Sequence, residues 1–338
     1  MIDRRLFIAA AGSSALAAPL ALARTKPFVP QFGPRARVLI TNDLAGDLDG
    51  LYATVHALLS PSTDLRAIVG TGTSMPSESA SHAVAVANDI LRMMKLTGKV
   101  PVHLGASGRI KDAAVPIPSP GTQAIIAEAM RTDTTLPLTI TVGAGLTEVA
   151  SALMIEPMIA GKFTLIWIGG GPPDNSAPLE YNFNIDPLAA MHVFNQSQVP
   201  IWQIPSDVYA QCMISASELQ AHVAPHGEIG AWLYDKVASG SEWLRQNKLN
   251  TGENWTLGDS PLVLLTALTA WIPNLSGGKL AFDMTGSSRF DSIYVPELAR
   301  SGIYTPRTSG RKMRLYRTVD TRMMFGDLFA KMQLNYGR

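Results

Sequence analysis

The chain has 338 residues, 46% hydrophobic and 16% charged, which is long enough for one large α/β domain or two ordinary ones and too apolar for a disordered chain. Its 28 basic and 27 acidic residues leave a formal net charge of +1, which argues against a nucleic-acid binder working through a bulk basic field. The single cysteine, Cys212, excludes an intramolecular disulfide and a zinc site of several thiolates, so any metal has to be held by oxygen or imidazole ligands.

Residues 1–23 read as an export signal of the twin-arginine type. The pair Arg4-Arg5, followed by Leu6-Phe7, precedes an uncharged apolar stretch ending in Ala21-Leu22-Ala23, small residues that suit a signal peptidase. An uncleaved anchor is the alternative, but the run is Ala-rich and short of the ~20 strongly apolar residues of a spanning helix. No later segment is long and apolar enough to span. The mature chain is therefore expected in the periplasm or secreted, without a stable membrane span. Loss of Asp3, Arg4 and Arg5 leaves it formally neutral.

Residues 24–37 are Pro-rich and basic and read as a linker. Apolar, strand-like runs then alternate with helical patterns. Residues 38–40 predict a strand, 51–59 a helix, 65–69 a strand, and 79–96 an amphipathic helix ending at Gly98. Strands follow at 100–104, 138–142, 163–168 and 201–204, with helices at 123–130, 146–154 and 187–195. Residues 215–272 are mostly helical and read as an elaboration of the same domain. This alternation predicts one Rossmann-like domain over 38–338, an open, mostly parallel sheet with helices on both faces and a helical C-terminal elaboration.

In such folds ligands bind beyond the carboxyl ends of the strands, so the residues just after each strand are the ones to read for chemistry. After the first strand, TNDLAGDLDG places Asp43, Asp47 and Asp49 within seven residues. Carboxylates that close repel, and a hard cation such as Ca²⁺ or Mg²⁺ removes the penalty; solvated aspartates in a capped loop are the alternative. After the 138–142 strand come Gly143 and Gly145, where the backbone can approach a ligand or simply turn tightly. After the 163–168 strand, GGGPPDNSAPLEYNFNIDP gathers Asp174, Asn175, Glu180, Asn182 and Asn184 before a helix cap at Asp186. Amides and carboxylates on a rigid loop match the hydroxyls of a polyol, which donate and accept. Asp259 precedes an apolar helix expected over 262–270 and, taken alone, reads as its N-cap.

Taken together, these loops resemble the inosine–uridine preferring nucleoside hydrolase family. The family's Asp-rich DxDPGxDDA signature has its counterpart in TNDLAGDLDGLYA, residues 41–53, and its Val-Pro-Val strand in VPVHLGA, residues 100–106. Its Gly-Pro-Leu-Thr-Asn turn matches Ala144-Gly145-Leu146-Thr147-Glu148, its Asn…Glu-Phe-Asn…Asp-Pro block matches residues 174–190, and its late His-Asp-Pro-Leu matches Gly258-Asp259-Ser260-Pro261-Leu262. The likeness runs in order along the whole mature chain. It implies a Ca²⁺-dependent enzyme that cleaves the N-glycosidic bond of nucleosides to free base and ribose.

By that resemblance Asp43 is metal ligand and general base, and Asp49 the second loop ligand, with Asp47 able to exchange with it. Gly143 contributes its carbonyl, or Val142 if the register slips, and Asp259 completes the metal set. Asn175, Glu180 and Asn182 hold ribose hydroxyls; Asp174 competes with Asn175 because the spacing to Glu180 is one residue short. Ser74 stands where a ribose-contacting Asn is expected. The implied partner is a small nucleoside or related glycoside, not a nucleic acid, and a homo-oligomer is left open.

Three departures stand out. The loop reads GDLDG where the family has adjacent aspartates. It reads DLA for DPG. Gly258 stands where some members place a His that protonates the leaving base, so Trp255 and Tyr209 become candidates for that role, with core or rim packing as the alternative for each. A non-catalytic sugar or nucleoside binder on the same scaffold is the competing reading. The six histidines read as structural, with the roles of His222 and His226 left open.

Overall fold

The computed structural model describes residues 33–73, 75–106, 108–273, 280–284 and 287–337. The expected export signal, residues 24–32 of the linker, and Ser74 lie outside the described residues. The first half alternates strictly: β1 (Ala36–Asn42), α1 (Asp49–Leu58), β2 (Thr63–Gly70), α2 (Ala80–Met93), β3 (Val102–Leu104), α3 (Pro120–Ala129), β4 (Leu138–Gly143), α4 (Thr147–Ile155) and β5 (Phe163–Ile168). Then come α5 (Tyr181–Ile185), α6 (Pro187–Asn195), β6 (Ile201–Ile204), α7 (Ser206–Tyr209), α8 (Ala216–His222) and α9 (Gly227–Gln246). The chain returns to the sheet with β7 (Arg289–Tyr294) and β8 (Lys312–Thr318) and ends in α10 (Thr321–Tyr336).

Local signals explain the boundaries. Ser79 accepts from the His82 amide at the start of α2, Ser119 from Thr122 at α3, and Asp186 from Ala189 at α6. Pro follows the cap at both α3 and α6, where its missing N–H has no helical partner to lose. The helix expected over 79–96 stops at Met93 because Lys95 turns left-handed, at φ 60°, and the Leu96 amide folds back to the Leu91 carbonyl.

The eight-stranded sheet has the order β7-β8-β6-β5-β4-β1-β2-β3. All neighbours run parallel except the edge pair β7–β8. Both faces are covered, so the central strands are buried along nearly their whole length rather than at alternate residues. On β5, Phe163, Leu165 and Trp167 enter the core with α3, α4 and α6, while Ile166 and Ile168 enter the opposite core with α1, α2 and α9.

Two features depart from the sequence expectation. β1 begins inside the stretch read as linker, because Arg37 is buried against Glu128 at 2.7 Å and so belongs to the interior despite its charge. The C-terminal elaboration contains α8, α9 and α10 but also returns two strands to the sheet. β7 carries Arg289 and Asp291 on an edge and reads as polar, and only its pairing with β8 makes it a strand. Among the described residues no helix is long and apolar enough to cross a membrane.

Candidate active site

Sheet order reverses between β1 and β4: from β1 the chain adds strands on one side through β2 and β3, and on the other through β4, β5 and β6. A crevice opens at such a switch point, beyond the carboxyl ends of the strands. Asn42 and Gly143 end the two strands as register partners. Directly beyond them lies an open cavity of about 90 Å³, lined by Asp43, Asp47, Asp49, Gly143, Ile168, Glu180, Tyr181, Asn182, Tyr209 and Asp259.

The loop after β1 brings three aspartates to this cavity at different depths. Asp43 is buried, at 5% exposure, and among the described residues no side chain donates to its carboxylate. Asp49 opens α1; its Oδ1 accepts from the Gly50 amide at 2.8 Å and its Oδ2 from the Asp259 amide at 3.1 Å. Asp47 stays at the exposed rim, with Oδ1 accepting from the Leu48 amide at 2.6 Å. The loop thus turns Asp43 and Asp49 into the cavity and leaves Asp47 at its mouth. Asp259 arrives from the far end of the chain at 2% exposure. Its carboxylate does not cap the turn that follows; it accepts from Asn42 Nδ2 at 2.6 Å.

Burial and mutual repulsion set the electrostatics. Desolvation, then the charges of Asp259 and Asp47, hold the Asp43 carboxyl well above the usual range. Asp49 is raised by burial and by the same carboxylates. Burial pushes Asp259 up to about 7, against the Asn42 hydrogen bond that favours its charged form. Among the described residues no cationic side chain offsets this repulsion. Gly143 is needed for space: a Cβ there would come within 2.1 Å of Asp259 Oδ2 and 2.4 Å of Asn42 Nδ2.

The opposite wall comes from the loop after β5. Glu180 caps α5, accepting from the Asn182 amide at 3.0 Å and the Phe183 amide at 2.9 Å. It also accepts from the Gly170 amide at 2.6 Å and from the Tyr209 hydroxyl at 2.8 Å. Burial, then the Glu180 charge, raises the Tyr209 phenol, which keeps its proton. Asn182 donates to the Ile168 carbonyl at 2.9 Å. Tyr181 stands half-exposed at the rim and donates to Glu78 at 3.1 Å.

Other expected residues are placed elsewhere. Asn175 adopts φ 62° and clamps Tyr304, accepting from its amide at 2.8 Å and donating to its carbonyl at 3.1 Å. Asp174 faces solvent and accepts from the Ser176 amide at 2.9 Å. Neither lines the cavity. The Trp255 ring lies over Gly240 of α9, where a Cβ would come within 2.7 Å of it, so this side chain packs a helix rather than the cavity wall. No histidine lines the cavity. His56 is buried against Asp327 at 2.7 Å. Asn42 and Tyr181 were not singled out from the sequence. The signal for Asn42 is its polarity at the last position of an apolar strand.

Among the described residues no group of three or more His, Cys, Asp or Glu side chains forms a ready-made cage around one metal position. The donor chemistry still fits a hard cation. Asp43, Asp49, Asp259 and the backbone at Gly143 offer oxygen only, and the repulsion among the carboxylates is uncompensated.

The comparisons agree with this fold. A plant nucleoside hydrolase shares the fold with a TM-score of 0.67 at 17% identity, over 88% of this chain and 99% of that one. A purine-preferring ribonucleoside hydrolase from Gardnerella vaginalis gives 0.62 at 19%, with coverage of 88% and 99%. An inosine-uridine preferring nucleoside hydrolase from Bacillus anthracis gives 0.60 at 14%, again covering 88% and 99%. No curated protein matches in sequence. The model of the inosine-uridine preferring nucleoside hydrolase family matches residues 38–321, from the first strand past the last, so the chain belongs to this family of N-glycosyl hydrolases.

Proposed function

We propose that this chain is a Ca²⁺-dependent hydrolase that cleaves the N-glycosidic bond of ribonucleosides to free base and ribose. The observation that carries the reading is the set of carboxylates, buried Asp43 and Asp259 with half-buried Asp49, converging at the switch point of the sheet with no cationic partner among the described residues. Asp43, Asp49, Asp259 and the Gly143 backbone would hold the ion, with Asp47 in reach at the rim. A bound calcium ion supplies a Lewis-acid centre that holds sugar hydroxyls and lowers the pKa of a water.

The chain's own residues do the rest. Asp43, buried and with no side-chain donor among the described residues, takes the proton from the attacking water. As the C–N bond breaks, its electron pair leaves with the base, which takes a proton from solvent, and positive charge grows on the sugar until the water oxygen bonds to that carbon; the surrounding carboxylates favour this charge. Asn42 holds Asp259 in one orientation. The walls around Glu180, Tyr181 and Tyr209 enclose the sugar and keep its geometry fixed. The Arg4-Arg5 pair and the uncharged stretch after it support a periplasmic or secreted site of action.

The test is Asp43→Ala. Removing the base is expected to lower base release from nucleosides by at least about 10³-fold while the melting transition stays cooperative. Wild-type protein that binds calcium and nucleosides yet releases no base would replace this reading with a non-catalytic binder.

A further inference from the structure

A carboxylate offers about four lone-pair directions, and in Glu180 all four are taken. Oε1 accepts from the Asn182 amide and the Tyr209 hydroxyl; Oε2 accepts from the Gly170 and Phe183 amides. Three of these donors are backbone groups fixed by the turn after β5 and the first turn of α5. The side chain is 6% exposed. A ligand hydroxyl can reach Glu180 only by expelling one of them.

Tyr209 is the member of this set that faces the cavity through a side chain. Its single proton is given to Glu180, so what it presents to a ligand is a pair of oxygen lone pairs. The ring is braced from behind: a Cβ on Gly258 would already meet Tyr209 Cδ2 at 3.1 Å. Most of the remaining polar lining accepts as well. Asp43, Asp49 and Asp259 are carboxylates, and the Asn182 amide nitrogen gives one of its two protons to the Ile168 carbonyl. A cavity lined mostly by acceptors favours a ligand that brings its own protons, which a polyol does at every hydroxyl.

We infer that Tyr209 is the specificity residue that receives a sugar hydroxyl in this cavity, and that Glu180 is its positioning residue rather than a direct sugar ligand. The inference rests on the proposed nucleoside reading and names one of its contacts. It also assigns Tyr209 a role opposite to that of a leaving-group acid, because the phenol has no proton to give a departing base while it is bonded to Glu180.

The experiment compares calcium-loaded wild-type and Tyr209→Phe proteins on inosine, its three monodeoxy analogues, and p-nitrophenyl riboside, whose leaving group needs no proton. Tyr209→Phe is expected to lower kcat/KM about tenfold on inosine and equally on p-nitrophenyl riboside. For one monodeoxy analogue, the one lacking the hydroxyl that Tyr209 receives, wild type and variant should coincide. An equal loss on every analogue would overturn the contact. A loss on inosine that spares p-nitrophenyl riboside would overturn it in favour of proton donation. If wild type cleaves none of these substrates the hydrolase reading fails separately, and calorimetric binding of D-ribose decides. Tighter binding by wild type than by Tyr209→Phe upholds the inference, and equal affinity or no binding overturns it.

Discussion

Asn42 Nδ2 donates to Asp259 Oδ2 over 2.6 Å and so ties the end of the first strand to a turn 217 residues further on. The bond fixes a buried carboxylate that has no cation beside it and faces other carboxylates. Asn42→Ala removes the donor but no proposed ligand. Calcium affinity is expected to fall about 10–100-fold, as it does when outer-shell partners of metal ligands are lost. Calorimetric calcium titration checks this; an unchanged affinity would show that Asp259 needs no orienting partner.

The raised pKa of Asp259 gives a pH-dependent prediction. Burial pushes the folded carboxyl up to about 7 from its ordinary value of 3.8, so between these values the native state holds the extra proton. Stability of the metal-free protein then falls as pH rises through that window, by up to roughly 1.4 kcal/mol per pH unit for one group. Asp259→Asn removes this contribution, while the raised carboxyls of Asp43 and Asp49 remain in both proteins. In chelator, its stability relative to wild type is expected to climb from pH 5 to pH 7 and level off above pH 8. Denaturant melts across that range test it, and a difference that stays flat with pH would refute it. In calcium the order reverses, because only wild type gains the ion.

Gly143→Ala tests the close approach at the strand end. Its Cβ would overlap Asp259 Oδ2 and Asn42 Nδ2, so the Asn42–Asp259 pair has to separate. Calcium binding is expected to be lost, together with about 1–3 kcal/mol from the broken buried hydrogen bond. Retained binding at wild-type affinity would mean that the pair is dispensable.

Glu148 is a buried carboxyl outside the cavity. It accepts from Thr71 Oγ1 and the Ala106 amide at 2.7 Å each, stapling the segments after β2 and β3 to α4, while its other oxygen has no partner. Burial raises its pKa, so the native state favours the neutral acid and loses stability as pH rises. Glu148→Gln keeps one acceptor without the charge and is expected to be at least as stable as wild type at pH 8. Glu148→Ala strands both donors and should cost about 2–4 kcal/mol. Equal melting of the two variants would contradict this.

The sequence carried the sheet well where strands are buried on both faces. Leu138–Gly143 and Phe163–Ile168 are runs of apolar and β-branched residues, and their loops had to point at the same crevice. The resemblance of those loops to the family's motifs is what gathered Asp43, Asp49, Gly143, Glu180, Asn182 and Asp259 before any geometry was known. What stayed hidden depends on single backbone angles and on contacts across the fold. Spacing does not reveal that Asn175 turns left-handed toward Tyr304, or that Trp255 is spent on Gly240. Nor does it reveal that a tyrosine from α7 would fill the last lone pair of Glu180. The edge strand Arg289–Tyr294 was equally silent, because a polar edge acquires its identity from its neighbour.

The most direct measurement is chromatographic detection of free base from inosine, uridine and adenosine, with wild-type protein in calcium and after exhaustive chelation. The account predicts base release from at least one of the three in calcium, its loss on chelation, and its return when calcium is restored. Base release that survives chelation undiminished, or none from any nucleoside by calcium-loaded protein, would contradict it.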